Sequence, residues 1–555
     1  MWVYGDQERE VTLLALLADV DAAQAALAAA APGLDWHGRC VGLFLLLSDL
    51  LQGVADAEFA ALGVDQPSAA QDSILAALIA TSESIARSWN SRLADQEAPD
   101  TGALAPLRAA DERLLNIRRC EGYAFYAVYP ELYVTAAASL PPDAFLIGLR
   151  SIGGGLAALV AGTAKARQVV TVRPGGGHFD RRIAAGDRLN QRIAGSLDSS
   201  FVIVDEGPGL SGSSFGGTAD WLEEQGVAPD RILFMPSHGG DLGPQAREDH
   251  RGRWNARPRL VATFDDVVRD GPVPLAGWFE DLTGPVSAPL QDLSGGRWRA
   301  RSPWPDAPAD PGREARKYLL EAEGGSFRLK FVGLDAIAAE KLGRAQSLFR
   351  AGLVPVPLAL RHGFLLERWV DGRQPAKPPL AFLAPYLAFR AKALPAGAAG
   401  APLAQLVDMA RYNLSQGIGG QGARLLDPWN GDRIAALQQA VRPIHTDSRL
   451  HRWEWLDAGG TILKTDAIDH AQAHDLVGCQ DIAWDIAGAA VEFDLSANQV
   501  ASLAEAVMPG RPRDLIECLI PCYLAFQLGW WSYAGEPGSA QMESYAAKTR
   551  KLLEH

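Results

Sequence analysis

Apolar side chains recur at helical spacing through residues 1–120, as in VTLLALLADVDAAQAALAAAA and GRCVGLFLLLSDLLQGVADAEFAAL. Breaks fall at Pro32–Gly33 and in DQEAPDTGAL (95–104). A 3.6-residue period punctuated by Gly and Pro predicts a helical subdomain over 1–120. The rhythm then changes. Across 121–302 the short apolar runs DAFLIGLRS (143–151), RQVVTVRP (167–174), SFVIVDEG (200–207) and DRILFMPSH (230–238) alternate with the helical stretches GGLAALVAGTAKA and GGTADWLEEQGV. That alternation predicts βαβ units and a mostly parallel sheet, whose ligands sit at the C-terminal strand ends. Residues 303–316, PWPDAPADPGREAR, are polar and Pro-rich and predict a linker. Residues 317–555 open on a hairpin-like pair, KYLLEAEGGSFRLKFVG, then a helix over 335–351, further strands and a mostly helical tail. The fold class is therefore α/β and multidomain, with an α+β unit at the C-terminal end.

Composition narrows the function classes. The chain has 555 residues, 48% apolar and 21% charged, enough to bury a large core. A net charge of −14 excludes broad nucleic-acid binding but leaves room for a local basic pocket that takes a phosphorylated small molecule. The cysteines Cys40, Cys120, Cys479, Cys518 and Cys522 are few and odd in number, which fits a reducing cytoplasm. Cys518 and Cys522, at i, i+4 spacing, read as core residues. MWVYGDQEREV lacks an apolar signal core, and IGGGLAALVAGTA (152–164) is too short to span a bilayer. A cytoplasmic chain with no membrane partner is expected, with self-association left open.

The stretch FVIVDEGPGLSGSSFGG (201–217) carries the first candidate chemistry. Asp205 and Glu206 end an apolar strand and can accept hydrogen bonds from vicinal hydroxyls. The loop Ser211-Gly212-Ser213-Ser214 can aim backbone N–H groups and hydroxyls at a phosphate, beside a helix N-terminus. This resembles the phosphoribosyl-diphosphate (PRPP) motif of type I phosphoribosyltransferases, with a four-residue spacer, GPGL, where the family usually has three. The resemblance implies a glycosyltransferase in which Asp205 and Glu206 hold the ribose and residues 211–214 hold its 5-phosphate. IGLRSIGGGLAA would be the pyrophosphate loop, with Arg150, Ser151, Gly153 and Gly154. VRPGGGHFDRR would be the basic cover, with Arg173, His178 and Arg181. The aromatic segment EGYAFYAVYPELY (121–133) just precedes the sheet and could line an acceptor pocket, but plain core packing is the favoured reading.

The C-terminal half resembles the aminoglycoside phosphotransferase and protein-kinase families. Lys330 lies in SFRLKFVG and Glu340 ten residues on in a helix, the strand-lysine and helix-glutamate pattern that positions ATP phosphates. GLVPVPLALRHGFLLERWVDG resembles the strand and hinge, which places Glu367 and Trp369 near adenine. IHTDSRLHRWEWL resembles the catalytic loop, with Asp447 as base; ILKTDAIDH would give the Mg²⁺ ligand Asp466, with Asp469 as the alternative. QDIAWDIAG implies bracing roles for Asp481 and Asp485. The family's Asn, five residues past the catalytic Asp, is Arg452 here, which leaves His451, or else Glu454, as the further metal ligand. The implied lobes are 317–372 and 373–555. Together the two resemblances imply a bifunctional Mg²⁺-dependent enzyme that uses PRPP and ATP. The alternatives are a nucleotide- or PRPP-sensing module and a hydrolase of a phosphoribosylated substrate.

Overall fold

In a computed structural model, which describes residues 1–109, 112–166, 168–209, 211–243 and 246–554, the chain divides into two compact units. One comprises Gln7–Asp281 with Gly333–Ala336; the other comprises Met1–Asp6, Leu282–Val332 and Ile337–His555.

In the first unit β1 (Glu8–Thr12) leads into α1 (Leu13–Ala28), α2 (Leu34–Leu62) and α3 (Ala69–Asn90), and β2 (Leu114–Arg118) returns antiparallel to β1. The sheet follows: β3 (Ala144–Leu149), α4 (Ile152–Ala164), β4 (Gln168–Val172), the small hairpin β5 (Gly175–Gly177) and β6 (Asp180–Arg182), and α5 (Asp187–Ala194). Then come β7 (Ser200–Val204), α6 (Ser213–Glu224) and β8 (Ile232–Met235). The four apolar runs become one parallel sheet of order β4-β3-β7-β8. β3 is buried at all six positions, as a central strand covered on both faces must be. Strand order reverses between β3 and β7, so Arg150–Ser151 and Asp205–Glu206 flank the crevice at their C-terminal ends.

The helices expected to form a subdomain of their own belong to the same unit as the sheet, because α2 and α3 pack directly on α4. α2 is long and apolar enough to cross a membrane by length and composition, but 72% of its most apolar window is buried within the protein.

The second unit holds a five-stranded antiparallel sheet. Its strands are β9 (Gln291–Asp292), β10 (Lys317–Ala322), β11 (Gly325–Phe331), β12 (Pro357–Arg361) and β13 (Phe364–Arg368), in the order β12-β13-β11-β10-β9. α7 (Ile337–Arg350) joins β11 to β12. A helical layer follows: α8 (Leu380–Ala393), α9 (Leu403–Ile418), α10 (Ile482–Glu492) and α11 (Asp514–Ser532), around a core that includes Tyr386, Trp484 and Tyr523. Between α9 and α10 lies the hairpin β14 (Trp455–Ala458) and β15 (Thr461–Lys464).

Two boundaries differ from the pattern-based expectation. Residues 282–302 belong with the second sheet, since β9 pairs with β10. Residues 303–316 are a packed strap and not a linker. Trp304 Nε1 donates to the Trp455 carbonyl (3.2 Å), Glu314 accepts from Trp298 Nε1 (3.0 Å), and Arg313 lies 4.0 Å over the Trp530 ring. Cys518 and Cys522 are buried on α11, as expected of core residues.

Candidate functional site

The second unit converges its charged groups where β11, α7 and the end of β15 meet. Lys330 is 3% exposed, with Nζ 2.6 Å from Asp466 Oδ1 and also paired to Asp469. Burial opposes its charge, yet the two aspartates outweigh burial and raise its pKa. In the same balance, burial would raise Asp466, but Lys330 and His470 hold it well below the carboxylate range; Asp469 is held at about 2. Glu340 is not the partner of Lys330. It is 57% exposed and lies 3.6 Å from Arg344. One residue is 100° of helix, so it is Lys341 that turns inward, bonding the Val332 carbonyl (2.7 Å) and lying 3.3 Å from Asp469.

Asp447 sits on the loop before β14, 1% exposed. It accepts from the Tyr386 hydroxyl, and its Oδ1 lies 3.3 Å from Lys464 Nζ. Burial favours its neutral form, but Lys464, His470 and Arg390 hold it far below the usual carboxylate range. Asp485 accepts the N–H groups of Asp447 (2.8 Å) and Ser448 (2.9 Å), and Asp481 accepts those of Arg442 (2.7 Å) and Ala483 (3.0 Å). Arg390, 1% exposed, donates to the carbonyls of His445 (2.7 Å) and Ala467 (2.8 Å) and to the Tyr386 hydroxyl (2.7 Å). It ties the loop to α8, a role with no local sequence signal because its partners lie 55 and 77 residues away.

The expected metal ligand His451 is turned elsewhere: it lies 3.5 Å from Glu492 and stacks on Trp453 at 4.4 Å. Arg452 points to Asp494 (2.6 Å). Glu454 takes the inward position instead, and with Asp466 and His470 it offers ligand atoms that all lie within 4.8 Å of one another. Two carboxylates so placed fit a hard cation such as Mg²⁺, which prefers oxygen ligands and shares its shell with phosphates.

Beside this cluster opens a cleft of about 900 Å³, its mouth included, lined by Trp298, Lys317, Trp369, Trp453, Leu456 and Asp466 among others. Glu367 is buried behind the lining residue Arg328 and bonds it (2.9 Å), so it is a support and presents no free carboxylate to a ligand. Trp298, from the segment before the strap, also lines the cleft, although no motif in the sequence marks it.

The first unit treats its expected residues unevenly. Arg150 and Arg173 do not present free charge to a pyrophosphate. Asp56, on α2, lies 2.9 Å from Arg150 Nε and accepts from Arg173 Nε at 3.0 Å, while Asp65 pairs with Arg150 and accepts the Arg173 N–H at 2.7 Å. Two acids from the helical layer thus neutralise two cations. Ser151 precedes α4, Gly153 and Gly154 are buried in its first turn, and a Cβ at Gly153 would meet the Val204 carbonyl at 2.3 Å. Asp205 and Glu206 do stand at the end of β7. Burial pushes Asp205 up to about 7 and Glu206 well above its usual value. The hydroxyls of Ser211 and Ser213 donate to the His178 carbonyl (2.9 and 2.7 Å), so the β5–β6 hairpin engages the phosphate-loop candidate. Gly212 precedes α6 with φ +61°, Ser214 lies in its first turn, and Arg181 folds onto the Gly176 carbonyl (3.2 Å). Leu210 of the spacer lies outside the described residues.

No family model and no curated protein matches the chain. Among solved structures, it is similar over 50% of its length to choline kinase LicA from Streptococcus pneumoniae (98% of that chain, 13% identity, TM-score 0.34). It is similar over 49% to a choline/ethanolamine kinase family protein from Mesorhizobium loti (90%, 19% identity, TM-score 0.33) and over 50% to a spectinomycin phosphotransferase (93%, 12% identity, TM-score 0.31). At such scores these likenesses carry no weight for function, and the residues alone must decide.

Proposed function

We propose that the second unit transfers a phosphoryl group from ATP to a small-molecule acceptor. The observation that carries this reading is the buried Lys330–Asp466 pair at 2.6 Å, which borders the tryptophan-lined cleft. Lys330 would take the nucleotide phosphates, and Trp369 would border the base. Glu454 and Asp466 would hold Mg²⁺, which when bound neutralises charge on the transferring group. Asp447, kept ionised by its cations, would accept a hydrogen bond from the attacking hydroxyl and orient it. Tyr386, Arg390 and Asp485 hold its loop in place. The test is ADP release from Mg·ATP across a panel of amino alcohols, amino sugars and nucleosides. Acceptor-dependent release that Asp447→Asn lowers about a hundredfold or more supports the reading, a loss at the lower end of what a positioned acid–base group contributes. Release that is independent of every acceptor and of Asp447 would remove it.

A second reading belongs to the first unit: a ribose 5-phosphate ligand, PRPP by class, held at the sheet crevice and transferred to an acceptor or merely sensed. Asp205 and Glu206, directly before the Ser211/Ser213 loop, favour it. The neutralised Arg150 and Arg173 favour sensing over pyrophosphate release. Calorimetry with Mg·PRPP tests it: affinity unchanged in the double variant Asp205→Asn/Glu206→Gln ends the proposal.

A further inference from the structure

Lys464 is the least exposed cation of the second unit's site, with 0% of its side chain open to solvent. Its Nζ lies 2.5 Å from Glu454 Oε2 and 3.3 Å from Asp447 Oδ1, and it donates to the Asp466 carbonyl. Three oxygens from three candidate site residues therefore surround one nitrogen: Glu454 Oε2 and the Asp466 carbonyl accept hydrogen bonds from the ammonium, and Asp447 Oδ1 faces it as an ion pair. Protein kinases use two Mg²⁺ ions, one of them held by an Asn of the catalytic loop. The corresponding residue here is Arg452, which is drawn off to Asp494 at 2.6 Å.

We infer that the Lys464 ammonium is a built-in second cation of this site, so the unit holds one divalent ion and not two. The inference rests on the phosphoryl-transfer reading for its use, but on contact geometry for its placement. Lys464 occupies the space between Asp447 and Glu454 that a second ion would need. The loss of the Asn is thereby explained: a fixed charge replaces an exchangeable one, and no ligand for a second ion is required. Lysine suits the position because its charge is compact, whereas a planar guanidinium would not fit three converging oxygens. A purely structural ion pair would share these contacts but would not set the number of bound metals.

The experiment counts Mn²⁺ bound to the full-length protein by the electron paramagnetic resonance of the free ion, with surface binding subtracted through a Glu454→Gln/Asp466→Asn variant. One ion per chain is expected in the wild type. Two are expected in Lys464→Met, falling back to one when Asp447→Asn is added. Two ions in the wild type, or one in a folded Lys464→Met, overturn the inference. If Lys464→Met does not fold, the wild-type count still decides. Adding the nonhydrolysable analogue AMPPNP separates the two readings: if it does not bind, the ATP assignment falls, while the count with Mn²⁺ alone continues to judge Lys464.

Discussion

On α7, Glu340 and Lys341 are neighbours in sequence with opposite fates. Glu340 is solvent-exposed, whereas Lys341 is 2% exposed and reaches Asp469. Glu340→Ala is therefore expected to leave the affinity for Mg·AMPPNP within about twofold, measured by equilibrium dialysis. Lys330→Met should weaken it about ten- to a hundredfold, the worth of a charge-assisted hydrogen bond of about 1.5–3 kcal/mol. The sequence showed that a strand lysine and a nearby acid existed, but the helical phase that chooses between 340 and 341 depends on where α7 begins. Asp447 and Asp466 were legible because a short loop carries each with recognisable neighbours. Glu454 stood only as an alternative, and Lys464 was not singled out, because their roles come from contacts across the hairpin β14–β15.

Asp205 makes a second residue-scale prediction. Burial pushes its carboxyl up to about 7, while an unfolded aspartate titrates near 4. The folded state thus retains a proton that the unfolded state gives up. That contribution to stability is complete below about pH 4 and is lost as pH rises through 7. Asp205→Asn mimics the protonated form. It should melt like the wild type at pH 4, increasingly above it as pH rises, and with a constant advantage beyond pH 7. A constant difference between the two proteins from pH 4 to 8 would contradict this.

At the scale of elements, close helix packing joins the N-terminal helices to the sheet. A Cβ at Gly155 would fall 2.2 Å from Ser48 Oγ on α2, while one at Gly343 on α7 meets nothing within 4 Å. Gly155→Ala is expected to cost about 1–3 kcal/mol, the usual penalty of overpacking, and Gly343→Ala to add about 0.5–1 kcal/mol by removing chain entropy. Urea midpoints at constant slope measure both. The strands of the parallel sheet were readable because each is a short apolar run between turn signals. The strap 303–316 was not, because Pro and polar residues are also what a linker uses. Long-range anchors such as Trp304 and Arg313, held 151 and 217 residues away, distinguish the two.

At the scale of the molecule, the first six residues belong with the C-terminal unit, not with their chain neighbours. Trp2 exchanges two hydrogen bonds with Asn413, at 2.7 and 2.8 Å, and the buried Val3 accepts from the Leu476 N–H at 2.9 Å. Deleting residues 1–6 should therefore lower the melting of the unit proposed to bind nucleotide and leave the other unit's transition in place. Differential scanning calorimetry with and without Mg·AMPPNP identifies which transition is which, since a ligand raises only the unit that holds it. No local pattern predicts such a return of the chain.

The Lys330–Asp466 cluster and the adjoining cleft are proposed as one metal–nucleotide site. Isothermal titration of Mg·AMPPNP into the full-length protein, beside its Asp466→Asn variant, tests it most directly. One nucleotide should bind per chain in the wild type, with binding lost or at least tenfold weaker in Asp466→Asn. The same affinity in both proteins, or no binding in the wild type, would rule out a metal–nucleotide site there.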